Sequence, residues 1–241
     1  MMKYKTINKE ELLSYFSINQ KNKLFELNLS KLTKPIFINL PFILNEEVSS
    51  LMGLMPDGSL IKDLMRVFFT QKKDPRKIEL FNDLIIKIFS TKIKLFRKEN
   101  SKGKQIYVNS KTLAWFLYYI LKLPKSDEQM RIPGWIFESP KSVKIAYLQQ
   151  AFDMEGTILK KLTEIRFVSG DELFAKDIYS LLNSLEIKSH LTYAPRFKQP
   201  NGQYRVSIYR RENFEKFKEI SFRIPFLENR FNLLLQKYEI L

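Results

Sequence analysis

The 241-residue sequence has no cysteine and a single histidine, His190. Without thiols there is no disulfide, no thiolate metal ligand and no cysteine nucleophile. One imidazole cannot furnish a His-rich zinc site and leaves little basis for a His-centred triad. Any catalysis is therefore expected to rest on carboxylates. No apolar run reaches the roughly 18 to 20 residues that span a bilayer. The opening MMKYKTINKEELL also lacks the apolar core and small-residue cleavage site of a secretory signal. The expectation is a soluble, intracellular protein of the cytoplasm or nucleoid, with no membrane partner.

What the chain has in excess is positive charge and aromatic surface. There are 41 Lys+Arg against 26 Asp+Glu, a net +15, with 20 Phe and 11 Tyr in a composition that is 44% hydrophobic. That apolar content can fill one large core or two small ones. The charge exceeds what solubility requires and suits a polyanionic partner, provided the bases sit on an organised surface.

Glycine is scarce, at 7, and two of the glycines fall in related settings. The apolar stretch SSLMGLMPDGSL (49–60) ends in Asp57-Gly58-Ser59, and AYLQQAFDMEGTI (146–158) ends in Glu155-Gly156-Thr157, at an offset of 155 − 57 = 98 residues. The offset persists downstream, where RVFFTQ (66–71) falls on EIRFVS (164–169), both β-rich. A helical pattern follows each. Ile78, Phe81, Leu84, Ile85 and Ile88 share one helix face, as do Phe174, Ile178, Leu181, Leu182 and Leu185. Hairpin-like segments with Ser-Lys-Gly and Pro-Asn-Gly turns come next, then further helices, then MRIP (130–133) and FRIP (222–225).

The chain thus reads as a tandem duplication of an αββαββα unit of the α+β class, each unit an antiparallel sheet with its helices on one face. The expected divisions are an N-terminal extension over 1–45, a first half over 46–135 and a second half over 136–241. The extension shows a short helix pattern around Glu10 to Phe16 and an approach strand, with no chemistry of its own. Period-two alternation turns Val67, Phe69, Ile165 and Phe167 toward the helices. Arg66, Phe68, Thr70, Arg166 and Val168 are left outward, joined by Lys94, Lys98, Arg196, Lys198 and Arg205. Two such sheets would form a basic, partly apolar DNA-binding saddle opposite the helices. Trp115 and Trp135 sit in apolar-periodic surroundings and read as core, His190 as surface, and Asp153 as a supporting group.

Two apolar helices ending MPDGS and DMEGT, each heading an αββαββα half, resemble the LAGLIDADG homing endonucleases in their single-chain, two-motif form. The likeness runs over about 43–226 and includes FFTQKKD and RIPGWIFESPKSVKIAYLQQAFDMEG. The resemblance implies a monomeric, site-specific double-strand DNA endonuclease that uses Mg²⁺ or Mn²⁺ and needs no obligate protein partner. It implies that Asp57 and Glu155 are metal ligands and that the backbone carbonyls of Pro56 and Met154 assist. Gln71, matched by Ser169, would order the attacking water, and Arg131 and Arg223 would stabilise the phosphorane. The same scaffold leaves two alternatives: an RNA-binding intron maturase, with intron RNA as partner, and a catalytically degenerate DNA-binding protein. The chain reads as freestanding or intron-encoded, because it begins at a methionine and shows no splice-junction residues.

Overall fold

The computed structural model describes residues 3–71, 74, 76–90, 95–100, 103–195 and 202–240, the side chains of 95–100, 103 and 104 excepted. The chain divides into two compact units, Met1–Glu128 and Gln129–Leu241.

The first unit runs β1 (Thr6–Ile7), α1 (Lys9–Leu13), β2 (Ser17–Lys21), β3 (Leu24–Asn28), β4 (Ile36–Ile38), β5 (Phe42–Ile43), α2 (Glu46–Leu54), β6 (Gly58–Leu60), β7 (Arg66–Gln71), α3 (Arg76–Phe89), β8 (Leu95–Asn100), β9 (Gly103–Asn109) and α4 (Lys111–Trp115). A 3₁₀ turn, Met55–Asp57, joins α2 to β6, and a π-helical turn, Phe116–Ile120, prolongs α4. The second unit runs α5 (Gly134–Phe137), α6 (Lys141–Glu155), β10 (Gly156–Ile158), β11 (Ile165–Ser169), α7 (Glu172–Asn183), β12 (Ser189–Ala194), β13 (Gln203–Ile208), α8 (Arg211–Phe217) and α9 (Pro225–Lys237).

The duplication is exact in strand order. The sheets run β6-β7-β9-β8 and β10-β11-β13-β12, all antiparallel. Gly58 pairs with Phe69 and Gly156 with Phe167, so the 98-residue offset of the sequence is also a register. The turn between the first two strands repeats as well. Leu64 and Leu162 both have positive φ, at 55° and 52°, a conformation that costs a branched side chain energy and persists only where its surroundings impose it. The same two backbone bonds close both turns, Leu64 to the Ile61 carbonyl and Ile61 to the Arg66 carbonyl, and Leu162 to the Leu159 carbonyl and Leu159 to the Glu164 carbonyl.

Each sheet packs its inner face on helices through aromatic rings. Phe69 stacks on Phe81 of α3 with centroids 4.9 Å apart and planes 3° from parallel. In the second unit Phe167 meets Phe174 of α7 at 5.6 Å and Phe152 of α6 at 5.4 Å, and Phe152 meets Phe217 at 5.0 Å. Burying a side chain of this size stabilises the fold by about 1.5–3 kcal/mol. The helix faces expected from periodicity are the buried ones, with Ile88 and Leu185 half-buried at the ends.

The N-terminal segment carries the expected short helix, as α1, but more strand than the single approach strand expected of it. It builds a three-stranded antiparallel sheet, β2-β3-β4, and pairs β1 with β5. The hairpin turns at Asn22-Lys23, where Asn22 takes φ 57°, the left-handed region that asparagine tolerates better than most residues. Phe16 reaches the Phe116 ring at 6.0 Å, and Phe42 and Phe89 meet the same ring at 5.1 and 5.3 Å. The single helix expected from KTLAWFLYYILKL is instead a short α-helix running into a π turn. The Leu121 amide reaches back five residues to the Phe116 carbonyl, and Lys122 then takes φ 63°. Trp135 is buried as expected; Trp115 is only half-buried, with the Lys111 ammonium 5.7 Å from its ring centre. His190 is exposed.

Candidate active site and nucleic-acid interface

The two motif helices are both largely buried, and each leads to an acid followed by a glycine. Asn45 caps α2 by accepting the Val48 amide, and buried residues run round much of both helices: Val48, Ser49, Leu51 and Met52 on α2, Tyr147, Leu148, Gln150, Phe152 and Asp153 on α6. Such helices carry no solvent stripe. Pro56, which has no amide hydrogen, ends the α ladder after Leu54, and the chain tightens into the 3₁₀ turn that presents Asp57. Glu155 is the last residue of α6.

Each acid is followed by a glycine for steric reasons, since both glycines have ordinary negative φ. A Cβ on Gly156 would lie 2.2 Å from the Phe152 carbonyl oxygen, and one on Gly58 would lie 2.5 Å from Met55 Cε and 2.9 Å from the Phe68 carbonyl oxygen. The absent side chain lets the chain leave the helix and enter the strand at once. Both acids are half-buried. A carboxylate at a helix C-terminus faces the negative end of the macrodipole, which disfavours it unless a cation compensates.

In the first unit the acid is held from the sheet. Gln71, the buried last residue of β7, donates its amide Nε2 to Asp57 Oδ2 at 3.1 Å and accepts the Asp74 amide on Oε1 at 3.3 Å. Asp74 is itself clamped by Arg76 through Nε and Nη2 at 2.7–3.1 Å. Those hydrogen bonds hold the Asp74 carboxyl below its ordinary value against the opposing effect of burial. In the second unit Ser169 stands at the position of Gln71, but its hydroxyl accepts the Asp171 amide at 3.0 Å. Asp171 in turn caps α7 through the Leu173 and Phe174 amides.

The two RIP turns, both in the second unit, are held differently. Arg131 forms a bidentate pair with Asp177 of α7, Nε to Oδ2 at 2.7 Å and Nη2 to Oδ1 at 2.9 Å, and this bonding raises the guanidinium pKa. The Ile132 amide adds a third bond to Asp177, at 2.9 Å. The Arg223 amide instead donates to Asp153 of the motif helix, at 2.9 Å, and the Arg223 residue is exposed. Asp153, expected to be a supporting group, is buried and fixes this turn two residues before Glu155. Pro56 is half-buried and Met154 buried.

The outer sheet faces differ from each other. On the first, Arg66 is exposed, Phe68 and Thr70 are half-buried, and Tyr107 lies across from Phe68 with ring centroids 5.7 Å apart. The Arg66 guanidinium stands 5.7 Å from the Tyr107 ring centre, and Gln105 donates to Thr70 Oγ1 at 3.1 Å. On the second, register places Arg166 beside Ser207 and His190, and Val168 beside Arg205 and Thr192. Arg166 is outward as expected but engaged. It makes a bidentate pair with Glu164, Nε to Oε1 at 2.6 Å and Nη2 to Oε2 at 2.8 Å. Burial pushes the Glu164 carboxyl up, but the hydrogen bonds from Arg166 and Ser207 outweigh it and leave the pKa lowered. Lys94, Arg196 and Lys198 lie outside the described residues; Lys98 is on β8, and its side chain is likewise outside them.

Sequence reasoning missed the carboxylates that anchor the arginines: Asp74, Glu164 and Asp177. The one signal for Glu164 was its place at the repeat position of Arg66, where an acid replaces a base. Among the described residues no three His, Cys, Asp or Glu side chains cluster closely enough to hold a metal by themselves, so any ion needs further oxygens from backbone, water or substrate. The donors on offer are all oxygen, which suits a hard divalent cation. Among the described residues no helix is long and apolar enough to cross a membrane.

Two αββαββα halves, each headed by a helix ending in an acid and a glycine, define a duplicated α+β protein of the LAGLIDADG type. A family model described as the LAGLIDADG-like domain matches residues 142–221, within the second unit. Its fold is similar to that of the homing endonuclease I-DmoI. The I-DmoI complex with DNA and Ca has a TM-score of 0.55 at 18% identity, covering 79% of this chain and 97% of that one. The complex with DNA and Mn gives 0.53 at 19% identity, covering 73% and 97%. Full-length DUF199/WhiA from Thermatoga maritima shares the fold at 0.52 and 11% identity, covering 81% of this chain and 61% of that one. In sequence the chain is 24% identical over 243 residues to the probable translation initiation factor IF-2 of Methanocaldococcus jannaschii; it aligns over 98% of its own length and spans about a fifth (20%) of that relative.

Proposed function

We propose that the chain is a site-specific double-strand DNA endonuclease that hydrolyses phosphodiester bonds with magnesium or manganese held through Asp57 and Glu155. The observation that carries this reading is the recurrence of a half-buried carboxylate at the end of each motif helix, where the helix dipole disfavours it. I-DmoI, which shares the fold, is known in complexes with DNA and with Mn or Ca, in keeping with a metal-dependent nuclease. The functional halves are taken as 46–135 and 136–241, with 1–45 as an extension, acting as a monomer on duplex DNA.

Asp57 and Glu155 supply the carboxylate oxygens, with the Pro56 and Met154 carbonyls as further donors. When bound, the metal supplies Lewis-acid charge at the scissile phosphate and lowers the pKa of a water. Gln71 would orient the Asp57 carboxylate through its side-chain amide bond to Oδ2. Ser169, at the matching place, lacks the reach for this role and leaves the halves unequal. Arg223 would meet phosphate, a role supported by its backbone bond to the motif helix and its exposure. Arg131 already has its Nε and Nη2 on Asp177. Arg66, Phe68, Thr70, Arg166, Val168 and Arg205 supply the sheet faces that meet the major groove, with Lys94, Lys98, Arg196 and Lys198 expected to extend them.

The test is a cleavage selection from a randomised plasmid library with Mg²⁺ and with a chelator. Recovery of a common cut sequence that needs Mg²⁺ supports the endonuclease. A sequence bound tightly in Ca²⁺ and never cut in Mg²⁺ or Mn²⁺ makes the chain a DNA-binding protein on this scaffold, and preference for structured RNA makes it a maturase.

A further inference from the structure

We infer that Arg166 reads a guanine in the half-site met by β11, and that Glu164 is the positioning residue that aims it; this rests on the DNA-binding reading above. Arg166 stands on the outer face of its sheet, with Ser207 and His190 beside it on the neighbouring strands. Its guanidinium offers five N–H bonds in a fixed plane. The side-on edge, Nε and Nη2, is taken by Glu164 at 2.6 and 2.8 Å. The end-on pair on Nη1 and Nη2 is left, on a side chain that keeps 20% of its surface exposed while the Glu164 side chain keeps 4%.

An end-on fork of two donors fits two acceptors side by side, which guanine presents in the major groove as O6 and N7. Adenine sets an amino donor beside N7 and would oppose the fork, thymine offers one acceptor and a methyl, and cytosine offers a donor. A phosphate contact would need the charge alone. What marks this arginine is the prior fixing of its plane. The buried carboxylate is held in turn by the Ser207 hydroxyl, so the ordering entropy of the side chain is met before DNA arrives.

Among the described residues the first sheet has no counterpart. At the repeat positions of Glu164 and Arg166 stand Arg66 and Phe68, 98 residues earlier, and Arg66 lies near the Tyr107 ring. Phe68 and Tyr107 make that face apolar, the kind that meets a thymine methyl. The guanine preference therefore belongs to one half-site only, and the target loses its palindromic symmetry at that place.

The experiment is a binding selection from randomised duplexes in Ca²⁺, which requires no cutting, for the parent, Glu164→Gln, Arg166→Lys and Ser207→Ala, each checked for cooperative unfolding. The parent should show one strongly guanine-selective position in one half-site. Arg166→Lys and Glu164→Gln should lower that selectivity about tenfold or more with other positions unchanged, and Ser207→Ala, which leaves the ion pair, should lower it less. Unchanged selectivity in Glu164→Gln overturns the positioning role. Uniform weakening across all sequences in Arg166→Lys makes the contact one with phosphate and overturns the guanine assignment. Should Glu164→Gln fail to fold, Arg166→Lys and Ser207→Ala decide the matter by the same criteria. A parent that selects no duplex sequence overturns the DNA reading itself.

Discussion

The Gln71 side-chain amide donates to Asp57 Oδ2 at 3.1 Å, joining the end of the second strand of the first sheet to the acid at the end of its motif helix. Gln71 is nearly inaccessible, at 3% exposure, and its oxygen is occupied by the Asp74 amide, so its orientation is fixed from both ends. Partners of this kind orient a metal-binding carboxylate, and their loss typically costs about 10–100-fold in activity. Gln71→Ala should therefore slow plasmid cleavage in Mg²⁺ by about that factor and leave duplex affinity in Ca²⁺ near the parent's. A parent-like cleavage rate would assign Gln71 to packing alone.

Gly156 tests the steric reading of the motif. A methyl there meets the Phe152 carbonyl at 2.2 Å, and backbone at that place cannot move without displacing Glu155. Gly156→Ala should destabilise the fold by about 1–3 kcal/mol, read as a lower urea midpoint. Gly134→Ala, where a Cβ meets nothing within 4 Å, should have no such effect and serves as the control.

The two RIP arginines should separate in function. Arg131→Ala leaves Asp177 without its guanidinium partner; because the Arg131 side chain is 54% exposed, the cost is about 1–2 kcal/mol of stability with cleavage intact. Arg223→Ala keeps the amide bond to Asp153, so the fold should hold while cleavage falls. Thermal unfolding beside single-turnover cleavage distinguishes them, and the reverse pattern would exchange their roles.

Acid should weaken the Asp74 clamp. Hydrogen bonding from Arg76 holds its folded pKa below the ordinary aspartate value, so its contribution is fully present above about pH 4 and is lost as pH falls through the folded value. Asp74→Asn should cost about 0.5–1 kcal/mol at neutral pH, and the gap from the parent should close as pH falls below the ordinary aspartate value and through the lowered folded one. A gap that persists at low pH would mean the loss is one of packing.

Much of the fold was legible because duplication makes each half a check on the other. The strand over 66–71, the amphipathic helices after it and the two acid-glycine ends follow from alternation, periodicity and a constant offset. The N-terminal sheet was not legible, because Ser17–Lys21 is polar apart from Ile18 and its strand character comes from pairing with Leu24–Asn28. The π turn after Trp115 was hidden because an apolar run reads the same for either helix. The anchor of Arg131 was hidden for a different reason. Arg131 and Asp177 lie 46 residues apart, and Ser207 meets Glu164 across 43, distances over which no local pattern operates; Asp74 and Glu164, by contrast, stand two residues from Arg76 and Arg166.

The central claim, that the two motif-terminal acids serve metal-dependent strand cleavage, is tested most directly by plasmid cleavage in Mg²⁺ beside gel-shift titration in Ca²⁺ for the parent, Asp57→Asn and Glu155→Gln. Both substitutions keep side-chain shape and remove one charge from a helix C-terminus, so folding should be unharmed. The account predicts that each variant binds at least as tightly as the parent and makes no double-strand cut. Double-strand cutting at the parent's rate by either variant would contradict it.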